Sequence, residues 1–238
     1  MREVLDYLEE RRSEFERHLF IARLLESRVD DGADADAAQI EVRHVNTLKS
    51  GLLIHLYNIV EAVTTRTMDI VGQTIVTEKP KLWTQIVLKE WVRAAIWDGE
   101  GRLGDGAVTR LAGISGVLAS GDAPDAFKIK GEPGSWDDDA IKKVAERLGC
   151  RLVLSSAIKR AAFEKIYRNE MTAMKYLASR RNAIAHGATT FEEGARDHTL
   201  DEISALAGRV IPFLKGVTES YEAFLESKAY LTPQQAAA

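Results

Sequence analysis

Apolar side chains recur every three or four positions through most of this chain, and few residues interrupt them. In one stretch Val45, Leu48, Leu52, Leu56, Ile59, Val63 and Thr67 form a single stripe over many turns. That spacing keeps one face of an α-helix apolar, whereas a strand would need alternation. With only 5 prolines in 238 residues, little stops such helices once they start. No series of alternating strand segments and no internal repeat appears. The fold class is therefore all-α, a bundle of long antiparallel helices.

The stripes and their punctuation give the expected elements. A first helix covers about 2–27, with Leu5, Leu8, Phe15, Leu19 and Ala22 on its buried side. Asp30-Asp31-Gly32-Ala33-Asp34 breaks it. The second helix covers about 37–72, and Pro80 starts a third that buries Leu82, Ile86, Val87, Trp91, Ala94 and Ala95. Between Trp97 and Trp136 the pattern degrades, and nine of the chain's 17 glycines fall there. This region, about 98–136, reads as an insertion with a short helix near Val108–Ala119 and an exposed loop over Asp122–Ser135. Asp137 then caps a helix that Gly149 closes near Leu148, and Arg151–Leu154 reads as a brief extended piece. A long helix over Ser156–His186, stopped by Gly187, and a last one over Thr199–Tyr230 complete the chain. Pro212 should kink the last helix, whose stripe is Ile203, Leu206, Val210, Phe213, Leu214, Val217, Tyr221 and Phe224. Residues 1–231 thus read as a single domain, with a disordered tail at 232–238.

Composition excludes several classes of protein. Hydrophobic residues make up 45% and charged residues 29%, as in ordinary globular chains. The lone Cys150 forbids an internal disulfide framework. No apolar run reaches the roughly 18 residues of a membrane span, and the charged start at Met1-Arg2-Glu3 is unlike a signal peptide. The expected location is cytoplasmic, with no membrane partner. The net charge of -4 would repel nucleic acid, but the distribution is uneven. From Ile158 to Arg181 seven cations (Lys159, Arg160, Lys165, Arg168, Lys175, Arg180 and Arg181) meet two anions, Glu164 and Glu170. Such a segment fits either a solvated helix face or a polyanion-binding surface.

Among the 5 histidines (His18, His44, His55, His186 and His198) no pair shows metal-ligand spacing on one face with a carboxylate nearby. His44 reads as exposed and His55 as a core-edge residue. No metal or other cofactor is expected, and phosphate-cradling glycine loops and nucleophile elbows are absent.

The informative stretch is Arg180-Arg181-Asn182-Ala183-Ile184-Ala185-His186-Gly187. Reading along one face gives Phe163, Tyr167, Met174, Leu177, Arg181 and Ile184, so a cation stands in the line of the apolar stripe. An isolated buried ion is costly, so Arg181 must be paired or must line a cleft or interface. Arginine can hold a phosphate while charge develops on it, and histidine can move a proton near neutral pH. Together they suffice for attack of a ribose 2′-hydroxyl on the adjacent phosphorus, with no metal or protein nucleophile. Residues five apart point about 140° away from each other on a helix, so Arg181 and His186 of one chain diverge. Asn182 and His186, four apart, share a face. A two-fold dimer crossing these helices would gather both pairs in one cleft. The same spacing also fits a plain alternative, in which His186 caps a helix C-terminus and Arg181 snorkels.

Arg181-Asn182-Ala183-Ile184-Ala185-His186 resembles the R-x4-6-H motif of the HEPN superfamily (higher eukaryotes and prokaryotes nucleotide-binding), including the polar residue after the arginine. Its setting matches as well: a late helix in an all-α chain, followed by Gly187, Phe191 and a final amphipathic helix. Leu56-Tyr57-Asn58-Ile59-Val60-Glu61-Ala62 is similar to a signature of a prokaryotic HEPN-like nuclease subfamily of defence and toxin–antitoxin systems. The stretch from Asp138-Asp139-Ala140-Ile141 to Leu148-Gly149-Cys150 is similar too. The resemblance implies a metal-independent endoribonuclease acting on RNA, a homodimer with a composite active site, and a cognate antitoxin as a further partner. Carried over, Arg181 and His186 are catalytic and Asn182 supports them. Arg180, Tyr57, Asn58 and Glu61 are candidates for buttressing or substrate binding. The competing reading is a non-catalytic helical module that binds nucleotide, RNA or a partner protein.

Overall fold

In a computed structural model that describes residues 1–30, 40–96, 104–130 and 136–233, the all-α expectation is met: eight α-helices and no strand occur among these residues. They are α1 (Arg2–Asp30), α2 (Val42–Ile75), α3 (Gln85–Ile96), α4 (Asp105–Ser120), α5 (Asp138–Leu148), α6 (Ser156–Phe163), α7 (Ala173–Ala185) and α8 (Leu200–Glu226). Contacts group the chain into two compact units. One holds Arg2–Val63 and Ser155–Lys215, and the other holds Met1, Thr64–Leu154 and Gly216–Ala238.

The first unit comprises α1, the start of α2, α6, α7 and the start of α8. On α1 the buried stripe is Val4, Leu8, Phe15, Leu19 and Ala22, while the expected Leu5 is only half-buried. The α2 stripe is buried as expected except for Leu48, which is half-buried. His44 is exposed and accepts a hydrogen bond from the Glu41 amide at the start of α2, 3.0 Å. Thr199 and Glu202 form a reciprocal capping box at α8, at 3.1 and 2.8 Å. Every residue of the expected α8 stripe is buried, and Pro212 lies inside the helix.

The expected 31-residue helix over Ser156–His186 is corrected: it is two helices. α6 ends at Glu164, which turns extended, and a 3-10 turn over Arg168–Glu170 holds Asn169 and Glu170 at φ 59° and 54°. Tyr167 and Met171 close this turn with a two-residue antiparallel bridge. Thr172 then caps α7, its hydroxyl accepting from the Lys175 amide at 3.3 Å. The stripe read through Phe163 and Tyr167 into Met174 therefore crosses a break. Phe163 meets Phe213 edge-on, and Tyr167 stacks on Tyr176.

In the second unit Pro80 starts only a 3-10 turn, Pro80–Leu82, and α3 begins after Thr84. Ile86 is exposed and Glu90 is buried, against the expected pattern. Glu90 is neutralised by Arg93 (2.5 Å) and Arg147 (3.1 Å). Burial still holds its carboxyl above the ordinary range, the two arginines pulling the other way. The short helix expected near Val108 is α4. The stretch after it departs from an exposed loop: Pro124, Phe127 and Ile129 are buried, and Phe127 stacks on Trp83. Gly72 permits this approach, because a Cβ there would lie 2.1 Å from the Phe127 carbonyl oxygen. Asp137 accepts from the Ala140 amide at 2.8 Å, and Gly149 closes α5 at φ 73°. Arg151–Leu154 forms no strand. Thr232, expected in a loose tail, donates its amide to the Leu82 carbonyl at 2.9 Å. Of the break expected at Asp30–Asp34, Asp30 still belongs to α1, and 31–34, the glycines at 99 and 101 and the tail from 234 lie outside the described residues.

Candidate active site

Four of the seven sequence-predicted site residues, Tyr57, Glu61, Arg181 and Asn182, form one cluster in the first unit. α2 places Tyr57 and Glu61 four residues apart on the face turned to α7. Tyr57 is fully buried, and the Arg181 guanidinium lies over its ring, 4.6 Å from the centroid. Arg181 Nη2 donates to both Glu61 oxygens, at 2.9 and 3.1 Å, and Nη1 donates to Asn182 Oδ1 at 2.9 Å. Of the outcomes expected for this cation, pairing or lining a cleft or an interface, pairing is the one seen within the chain. Its side chain is 25% exposed and that of Glu61 is 37% exposed, so the guanidinium still reaches solvent. Neighbouring Met174, Leu177 and Ile184 are buried.

His186 sits differently. It is exposed and forms the C-cap of α7, its backbone amide bonding the Asn182 carbonyl at 3.0 Å. Gly187 at φ 70° then turns the chain out of the helix. The loop beyond returns closely: at Gly194 a Cβ would come within 2.6 Å of Ile184 and 2.8 Å of Ser50 Oγ. Asn182 and His186 lie on the same side of α7, four residues apart, while Arg181 is turned to α2. Asn58 is exposed, one helical turn from Glu61, and lines a cavity with Glu14, His18 and His55.

Arg180 belongs to a second network. Its Nε donates to Tyr176 Oη at 2.6 Å, and Nη2 pairs with Asp197. Tyr176 Oη also bonds His198 Nε2, and His198 Nδ1 lies 3.5 Å from Glu202. Burial raises the Tyr176 hydroxyl, with Arg180 opposing, so the phenol stays protonated and can pass a hydrogen bond to His198. Sequence reading missed this chain of polar contacts, because His198 and Asp197 stand in a loop without periodicity. It also missed the His18–His55 pair, whose members are 37 residues apart on different helices.

Among the described residues no set of three or more His, Cys, Asp or Glu side chains is gathered as a metal site, and no helix is long and apolar enough to cross a membrane. An all-α chain with an arginine held at the end of a late helix, and a histidine five residues on, has the layout of a HEPN protein. A family model for HEPN_MAE_28990-like HEPN proteins matches residues 3–230, and the chain belongs to that family. No curated protein and no solved structure shows significant similarity to it. HEPN families are associated with RNase-type or nucleotide-related functions, and their domains often form dimers.

Proposed function

We propose that this chain is a metal-independent endoribonuclease, acting as a toxin or phage-defence effector with a composite active site at a homodimer interface. The observation that carries this reading is the cradle of Arg181. A stacked tyrosine and a carboxylate hold the guanidinium, so little ordering is left to do when a phosphate arrives. In the reaction the ribose 2′-oxygen bonds to the adjacent phosphorus and the bond from phosphorus to the 5′-oxygen breaks. The 2′-hydroxyl proton passes to a base, and a proton is delivered to the leaving 5′-oxygen. The products are a 2′,3′-cyclic phosphate and a 5′-hydroxyl end. His186 is the proton-moving group, Arg181 stabilises charge on the phosphoryl oxygens, and Asn182 orients both. Glu61 and Tyr57 position Arg181, and Asn58 and Arg180 lie beyond this first circle.

Because Arg181 faces α2 and His186 faces solvent, two chains related by a two-fold axis complete the site. A cognate antitoxin would act by covering or modifying this surface. The test is sequencing of RNA 5′ ends after induction, wild type against His186→Ala, with purified protein assayed in EDTA. Arg181→Ala and His186→Ala should each abolish cleavage and any growth arrest while the helical circular dichroism is unchanged. Cleavage by pure His186→Ala protein would overturn the assignment.

One observation favours a second reading, a binding module without catalysis: in a single chain Arg181 is committed to Glu61 and Asn182. Light scattering separates the two, since a strict monomer leaves Arg181 and His186 apart.

A further inference from the structure

Away from Arg181, α1 and α2 carry a cluster with its own chemistry. Glu14 and His18 lie four residues apart on one face of α1, and His55 of α2 stands opposite them. The Nδ1 atoms of His18 and His55 are 3.2 Å apart. On the other edge of the His55 ring, Nε2 lies 3.7 Å from Glu14 Oε2, whose charge Arg11 offsets at 2.5 Å. The cluster opens onto a cavity of about 430 Å³ that Asn58 and Gly51 also line. A Cβ at Gly51 would meet nothing within 4 Å, so the cavity is open at that wall.

Two nitrogens facing each other this closely must share a proton, or something else must take its place. Zinc-class ions bind imidazole nitrogen at about 2.0–2.1 Å. At the observed 3.2 Å separation, two such bonds meet at roughly 100°, close to the tetrahedral angle such ions favour.

We propose that His18 and His55 form a binding site for a divalent transition-metal ion of the zinc class, with both Nδ1 atoms as ligands and the Glu14 carboxylate standing behind the His55 ring, 3.7 Å from Nε2. A carboxylate behind a ligating histidine is the usual means of fixing its tautomer and orientation. The protein supplies two ligands, and the cavity leaves the remaining positions to water or to a donor atom of a bound molecule. The ion clips α1 to α2 and takes no part in the chemistry at Arg181.

The full chain, stripped with chelator and dialysed, is titrated with zinc chloride by calorimetry, and its melting curve is recorded with and without zinc. One equivalent should bind and raise Tm, as any ligand of the folded state does. His18→Ala, at an exposed position, should melt like wild type in EDTA yet lose at least tenfold in zinc affinity. Glu14→Gln should lose about tenfold. Cobalt(II) should give visible bands of tetrahedral intensity in wild type and not in His18→Ala. Unchanged affinity in His18→Ala, or no saturable uptake by wild type, overturns the proposal. RNA cleavage is assayed in zinc and in EDTA, so the fate of this site and that of the nuclease reading are seen separately.

Discussion

At the scale of single residues, Arg181 combines two demands that usually conflict. It stands beside buried Leu177 and Ile184, yet a cation that binds phosphate must reach solvent. The conflict is resolved by giving each part of the guanidinium a partner: the face lies on Tyr57, and the edges meet Glu61 and Asn182. The pair with Glu61 is partly exposed, so its worth to stability is at most about 1 kcal/mol; its value lies in aim. Glu61→Gln should therefore lower kcat for RNA cleavage by about tenfold or more, as a misplaced catalytic group does, with KM and denaturation midpoint little changed. Initial-rate kinetics with urea unfolding check this, and an unchanged kcat would reduce Glu61 to a packing role. That Arg181 would be paired, or would line a cleft or an interface, was legible in the sequence, since a charge in an apolar stripe is costly when isolated; which of these holds was not. That Tyr57 would be the stacking surface was not, because its burial reads the same for packing and for cation–π contact.

At the scale of elements, what decides the helices is where they stop. Asp137, Gly149 and Gly187 act as expected because capping is a local matter of one side chain or one positive φ. The break between α6 and α7 uses weaker signals. Asn169 tolerates the left-handed region, Glu170 joins it there, and Thr172 caps α7. None of these residues forbids a helix, so periodicity alone runs straight through them. Close approach gives a sharper test in the other unit. Gly72→Ala would set a Cβ 2.1 Å from a backbone oxygen at Phe127. This contact cannot be relieved by a rotamer change. The substitution should cost about 1–3 kcal/mol, as overpacking does, despite alanine's better helix propensity. Chemical denaturation reads the loss, and a variant as stable as wild type would mean that the 124–129 segment does not rest on α2.

At the scale of the whole molecule, stability should depend on pH through His55. Its folded-state value lies below the ordinary 6.5 through burial, with Glu14 opposing and His18 and Arg11 reinforcing. The unfolded chain then takes up a proton near pH 6.5 that the folded chain accepts only at lower pH. Stability from this group is present above about pH 6.5 and falls as acid is added, until the folded value is passed. Melting temperatures measured in EDTA should drop from pH 7 to 5.5, and His55→Gln should show a shallower drop. An identical pH profile in the variant would remove His55 as the cause. Helix type, the order of helices and most buried faces follow from this sequence alone, because a 3.6-residue period and the residues at helix ends act over a few positions. The Arg181-Asn182-His186 spacing belongs to the same local grammar, and so it could be read directly. Which polar groups meet could not: Glu61 with Arg181 and His18 with His55 are 120 and 37 residues apart. Such contacts exist only once long helices have been laid side by side, and no local propensity encodes that alignment.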